Sequence, residues 1–119
     1  MTIGHIDQLA GAALAGDDLR AVVKKILVSP ADGWSDHVMR VFELGPGGFT
    51  PRHAHDWFHV NYVIDGEGSL FLEGVEHPVV AGSYAFVPAG AEHQFRNTGG
   101  RPFRFICIVP EAYDQGWRK

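Results

Sequence analysis

One cysteine in 119 residues is little, and the scarcity excludes a class of architecture. Cys107 has no partner for an internal bridge, so disulfides do not staple this fold, and nothing points to an oxidising compartment. Long hydrophobic runs are also missing: no stretch approaches the roughly twenty apolar residues that span a bilayer. The opening MTIGHIDQLAGAALAGDD has neither a basic n-region nor a sustained apolar core, so a soluble cytoplasmic protein is the expectation. Positive charge is in deficit, with 10 Lys and Arg against 14 Asp and Glu and a formal charge of −4. The cations are scattered and leave no electrostatic footprint for nucleic acid. No GxGxxG or P-loop occurs, which removes nucleotide cofactors, and no Ser-His-Asp triad or carboxylate pair can be placed. The expected partner is a small-molecule substrate or ligand, with neither nucleic acid nor membrane.

Glycine and proline, by contrast, are plentiful: 15 and 7 respectively. They fall between short apolar runs rather than in one low-complexity block, which is the punctuation of an all-β protein. No repeat or composition shift suggests a second domain, and the length suffices for a hydrophobic core. We expect an N-terminal arm over residues 1–20 and one domain over 21–119. Ile6, Leu9, Ala10, Ala13 and Leu14 have helical spacing weakened by Gly11 and Gly16, so the arm reads as a marginal helix or an irregular segment. Strands are expected over 21–29, 37–44, 58–64, 69–73, 75–81, 84–87 and 103–109. In 37–44 the set Val38, Arg40, Phe42, Leu44 alternates with His37, Met39, Val41, Glu43. Charged residues are mostly exposed, so Arg40 is expected in solvent; an inward Arg40 would need a partner such as an anionic substrate. Trp34, in the loop before this strand, reads as an aromatic packed over a sheet edge.

The chemistry concentrates in GGFTPRHAHDWFHVNYVIDG, residues 47–66, which carries His53, His55 and His59. On an extended strand His53 and His55 share a face, roughly 6.5 to 7 Å apart at Cα, and two imidazoles so placed can share an ion. His59 has the same parity but lies roughly 13 Å farther along a straight strand, so the chain must bend, at Asp56 and Trp57. A helix is the competing geometry, because His55 and His59 are i and i+4. Gly47, Gly48 and Pro51 oppose it, and the catalytic Glu of an HExxH site is missing. His77, in a hairpin, reads as a surface residue. His93 follows a Pro88-Ala89-Gly90 turn and by itself reads as a packed or solvated side chain.

The two glycine-bounded segments together resemble the cupin superfamily. Gly47, His53, His55 and Gly66 fit its first motif. Gly82, Pro88, Gly90, His93 and Asn97 match every fixed position of its second. The resemblance covers roughly residues 21–110 and implies a jelly-roll barrel, or β-sandwich. It makes His93 a fourth candidate ligand, and His59 stands where the first motif expects a glutamate. Four-histidine cupins with Pro51-Arg52-His53 and Phe95-Arg96-Asn97 runs are similar. The implied site is His53, His55, His59 and His93 around a divalent transition metal: Zn, Cu, Fe or Ni from the imidazole donors, with Mn added by the family. Without a carboxylate the ion's charge is uncompensated, which favours an anionic substrate oxygen and disfavours high oxidation states. Free histidine titrates near pH 6.5, so metal loss is expected at about pH 5 to 6 or below.

Strand parity adds pocket candidates. Phe95 shares the face of His93, and Asn61 that of His59, where it is either a structural amide or a group that orients a ligand. Phe103, Phe105, Cys107 and Val109 are expected inside. Cys107 reads first as a small core hydrophobe and second as an oxidisable thiol near the metal. An apolar site without an interior acid or base suggests a metal-dependent oxidoreductase of the dioxygenase type. The alternatives are a non-catalytic binding protein and a non-redox isomerase or lyase, which would need a base such as Tyr62, Tyr84 or His77. No catalytic residue is assigned. The resemblance also implies a homodimer.

Overall fold

The computed structural model describes residues 1–114; the last five residues of the expected 21–119 domain lie outside the described residues. Among the described residues nine antiparallel strands form one curled sheet: β1 Ala12–Ala13, β2 Arg20–Val28, β3 His37–Phe49, β4 His59–Asp65, β5 Glu67–Leu72, β6 Val75–Val80, β7 Tyr84–Val87, β8 His93–Asn97 and β9 Phe103–Pro110. The strand order β6-β5-β8-β3-β9-β4-β7, with β2 paired to β3 and β1 to β2, is that of an all-β jelly roll.

Apolar alternation dictates which faces meet. In β9, Phe103, Phe105, Cys107 and Val109 are buried while Arg104, Ile106 and Ile108 are partly exposed. Phe105 lies 4.0 Å from Phe95 and 5.8 Å from Phe42 between ring centroids, so β9, β8 and β3 contribute to one aromatic core. A Cβ at Gly66 (φ +81°) would run into the Pro102 carbonyl oxygen, which is why glycine closes the first motif.

Of the two readings of the N-terminal stretch the structure has the arm: a 3-10 turn spans Ile6–Gln8, and Ala12–Ala13 then pair with Lys24 and Val23 of β2. Three-sided burial needs a partner helix or sheet, whereas an exposed sheet edge offers backbone hydrogen bonds at once. One expectation is corrected, that Arg40 lies in solvent: it is 3% exposed. The Val38, Arg40, Phe42, Leu44 set faces inward, and Arg40 finds Cys107 opposite it on β9. Trp34 is exposed and stacks on His37 at 5.5 Å, and His77 is exposed.

Candidate metal centre

His53 and His55 sit on a loop rather than a strand, for between β3 and β4 only His53 pairs, in an isolated bridge with His93. The expected two-strand bracket is therefore one strand, β4, and a pinned loop. Its bend falls at Asp56 and Trp57. Backbone bonds fix the loop from several sides. The His53 N–H donates to the His93 carbonyl at 3.1 Å and the His93 N–H to the His53 carbonyl at 2.9 Å. The Gly90 N–H, at a φ of +84°, donates to the His55 carbonyl at 2.7 Å. Upstream, the Phe95 N–H donates to Thr50 Oγ1 at 2.9 Å. The proline-glycine turn of the second motif thus seats the histidine loop of the first.

One ring nitrogen from each of His53, His55 and His93 lies within 4.8 Å of the others. His59, at the start of β4, stands outside that group of three, but its Nε2 is 3.1 Å from His93 Nε2. The second ring nitrogens of His55, His59 and His93 are committed. His55 Nδ1 donates to the Trp57 carbonyl at 3.0 Å, His93 Nδ1 to the Ala91 carbonyl at 2.9 Å, and His59 Nδ1 to Asn61 Oδ1 at 2.5 Å. Asn61 Nδ2 donates to the Ile106 carbonyl at 3.2 Å, which fixes the amide with its oxygen toward His59. Carbonyl oxygens only accept, so these rings are Nδ1–H tautomers and turn Nε2 lone pairs toward the cleft. Burial, first of all, lowers the pKa of His55, His59 and His93 to about 4, so all three are neutral near pH 7. Facing lone pairs at hydrogen-bond distance repel unless a cation lies between them. The donor set fits a borderline transition metal.

The cleft above these rings has an empty volume of about 380 Å³, open mouth included, and is walled by Phe42, Phe95, Phe105, Trp57, Arg40 and Cys107 among others. Of the expected pocket residues, Phe95, Phe105 and Cys107 line it. Asn61 acts through His59 instead, and Val109 is fully buried in the core without reaching the cleft. Cys107 is more than a small hydrophobe, since its Sγ accepts from Arg40 Nη2 at 2.9 Å. Arg52 of the first motif points away, over the Phe71 ring at 3.7 Å. Sequence reasoning missed the lid of the site. Trp57 stacks on His55 at 4.0 Å with parallel planes, and Tyr113, in the 3-10 turn Glu111–Tyr113, stacks on Trp57 at 4.7 Å. No periodicity signals such a stack; the only cue was an aromatic at the bend.

A jelly roll with a histidine cluster seated between two glycine-bounded turns defines a small-barrel class of protein. The Cupin domain family matches residues 40–109, more than half of the chain, and the chain belongs to that family. The polyketide cyclase RemF of Streptomyces resistomycificus superposes with a TM-score of 0.85 at 29% identity, over 93% of this chain and 80% of that one. The 1-methylthio-D-xylulose 5-phosphate methylsulfurylase of Rhodospirillum rubrum is 26% identical over 110 residues, 92% of this chain and 69% of its own. The oxalate-binding protein of Thermotoga maritima is 31% identical over 68 residues, 56% of each chain. The match thus spans little more than half of that relative. Among the described residues, no helix is long and apolar enough to cross a membrane.

Proposed function

We propose that this chain is a metal-dependent enzyme of the Lewis-acid type, with His53, His55, His59 and His93 as ligands and a small aromatic or enolisable carbonyl compound as substrate. The observation that carries the reading is the 3.1 Å approach of His59 Nε2 to His93 Nε2 while both Nδ1 atoms donate elsewhere. A divalent ion bound there would polarise a carbonyl oxygen and stabilise the negative charge that develops on it. The chain's own contribution is to hold the rings of His55, His59 and His93 neutral and in fixed tautomers beside His53, to exclude a carboxylate, and to orient a flat substrate between Phe42, Phe95, Phe105 and Trp57. Likeness to a polyketide cyclase along 93% of the chain supports this substrate class.

The dioxygenase reading stands second. It is favoured by the same apolar lining and by the want of an acid or base: Tyr62 and Tyr84 are exposed on the outer face, as is His77, and no carboxylate lines the cleft among the described residues. One experiment separates the two. Protein purified without added metal is assayed for its metals by mass spectrometry, then given acetophenone in D₂O. Metal-dependent deuteration of the methyl group without oxygen uptake is the expected result, with solvent water as the proton acceptor and deuteron donor because no side chain of the cleft among the described residues supplies a base. Oxygen consumption coupled to product, or a chain that takes up no metal, would overturn the proposal.

A further inference from the structure

We infer that Arg40 is a substrate-anchoring residue and that the cleft takes a ligand with an anionic oxygen, such as an aromatic carboxylate or enolate. This deepens the proposed function by naming the charge of its substrate. Arg40 lines the cleft, is 3% exposed, and sits over the Phe42 ring with its guanidinium carbon 4.9 Å from the centroid. Nη2 donates to Cys107 Sγ at 2.9 Å, and Nη1 reaches the Asp114 carbonyl at 3.3 Å and its Oδ1 at 3.5 Å. Nε is buried without a hydrogen-bond partner among the described residues.

A guanidinium satisfied for structural reasons uses its fork on a carboxylate. Here the fork is split between a sulfur, a weak acceptor, and a single side of Asp114, and one donor is left idle. The local charge is also unbalanced. Lys24 Nζ lies 3.1 Å from the same Asp114 Oδ1, so among the described residues two cations share one carboxylate and one positive charge remains buried. Neutral histidines do nothing to offset it, and a divalent ion would add to it. An uncompensated buried charge is costly. A ligand oxyanion between Arg40 and the histidine cluster removes that cost. In its absence Asp114 is the partial stand-in, so ligand and Asp114 compete for Arg40.

The test is calorimetric titration of the full chain, zinc-loaded and metal-free, with sodium benzoate, sodium acetate and the neutral benzyl alcohol. Benzoate is expected to bind at least about tenfold tighter than benzyl alcohol, the range for a charge-assisted hydrogen bond. Arg40→Gln loses about tenfold or more for the anions only, and Arg40→Lys, which keeps charge without the fork, falls between. Asp114→Asn leaves Arg40 in place and guards against a folding defect in the other variants; it is expected to tighten benzoate several-fold. Anion affinity unchanged in Arg40→Gln, or unchanged or weakened in Asp114→Asn, overturns the inference. A chain that binds no zinc yet shows Arg40-dependent benzoate binding refutes the proposed function and keeps this one; zinc binding with Arg40-independent benzoate does the reverse.

Discussion

His59 and His93 present Nε2 to Nε2 at 3.1 Å across the cleft, each with its other nitrogen donating to an oxygen. The proposed cation would lie between them, and the first prediction is that metal stabilises the fold. Zinc at a hundredfold excess over its dissociation constant adds about 2.7 kcal/mol. Thermal unfolding with zinc and with chelator reads this directly. His59→Ala and His93→Ala should each abolish the difference, and a difference that survives in both would place the ion elsewhere.

Asn61 touches no part of the cleft, yet it orients His59 and satisfies the Ile106 carbonyl. Asn61→Ala should weaken zinc binding by about 10 to 100-fold, measured by competition with a chromophoric chelator. Asn61→Asp keeps the acceptor and should retain most of the affinity. Equal affinity in wild type and Asn61→Ala would reduce this residue to a structural amide.

The pH dependence has a definite sign. The unfolded chain's histidines take protons near pH 6.5, whereas His55, His59 and His93 in the fold do so near 4, chiefly because they are buried. Between those values the unfolded state holds more protons, so stability of the metal-free protein is complete above about pH 6.5 and is lost as the pH falls toward 4. The same burial delays proton competition for the metal, whose release moves from the pH 5 to 6 expected of free histidine toward about pH 4 to 5. Melting temperatures in chelator from pH 7.5 to 4 test the first part; a flat profile would contradict it.

Phe105 is 2% exposed and contacts the rings of Phe42, Phe95 and Phe103. Phe105→Ala removes a ring from both core and cleft wall and should cost about 3 to 5 kcal/mol, read from urea unfolding of the metal-free protein. A loss below about 1 kcal/mol would mean the three rings close over the gap.

The strands were readable because alternation is local: Phe103 to Val109 declares its inner face without reference to any other strand. Histidines 53, 55 and 59 were readable as candidates through residue type and spacing, His93 only through the resemblance of its glycine-bounded segment to the second cupin motif, and Asn61 through its two-residue offset from His59. Arg40 was not. Its burial depends on Cys107 and on Asp114, 74 residues away, and no window along β3 contains that information. The stack of Tyr113 on Trp57 on His55 was hidden for the same reason, since tertiary proximity, not period, makes it. The arm was left between two readings because its spacing fits a helix weakened by Gly11 and Gly16, and what decides is an edge of β2 with which Ala12 and Ala13 pair.

The mutual backbone bonds between His53 and His93 close a loop of forty residues that contains all of β4, β5, β6 and β7. A cation held by side chains at both ends of that loop would act as a reversible cross-link. Closing a loop of this length removes unfolded-state entropy as a disulfide does, and opening it releases that entropy. In a chain whose single thiol can make no bridge, such a clasp is one that a chelator or acid undoes and a reductant leaves intact. Resistance to unfolding would then follow metal supply instead of redox state.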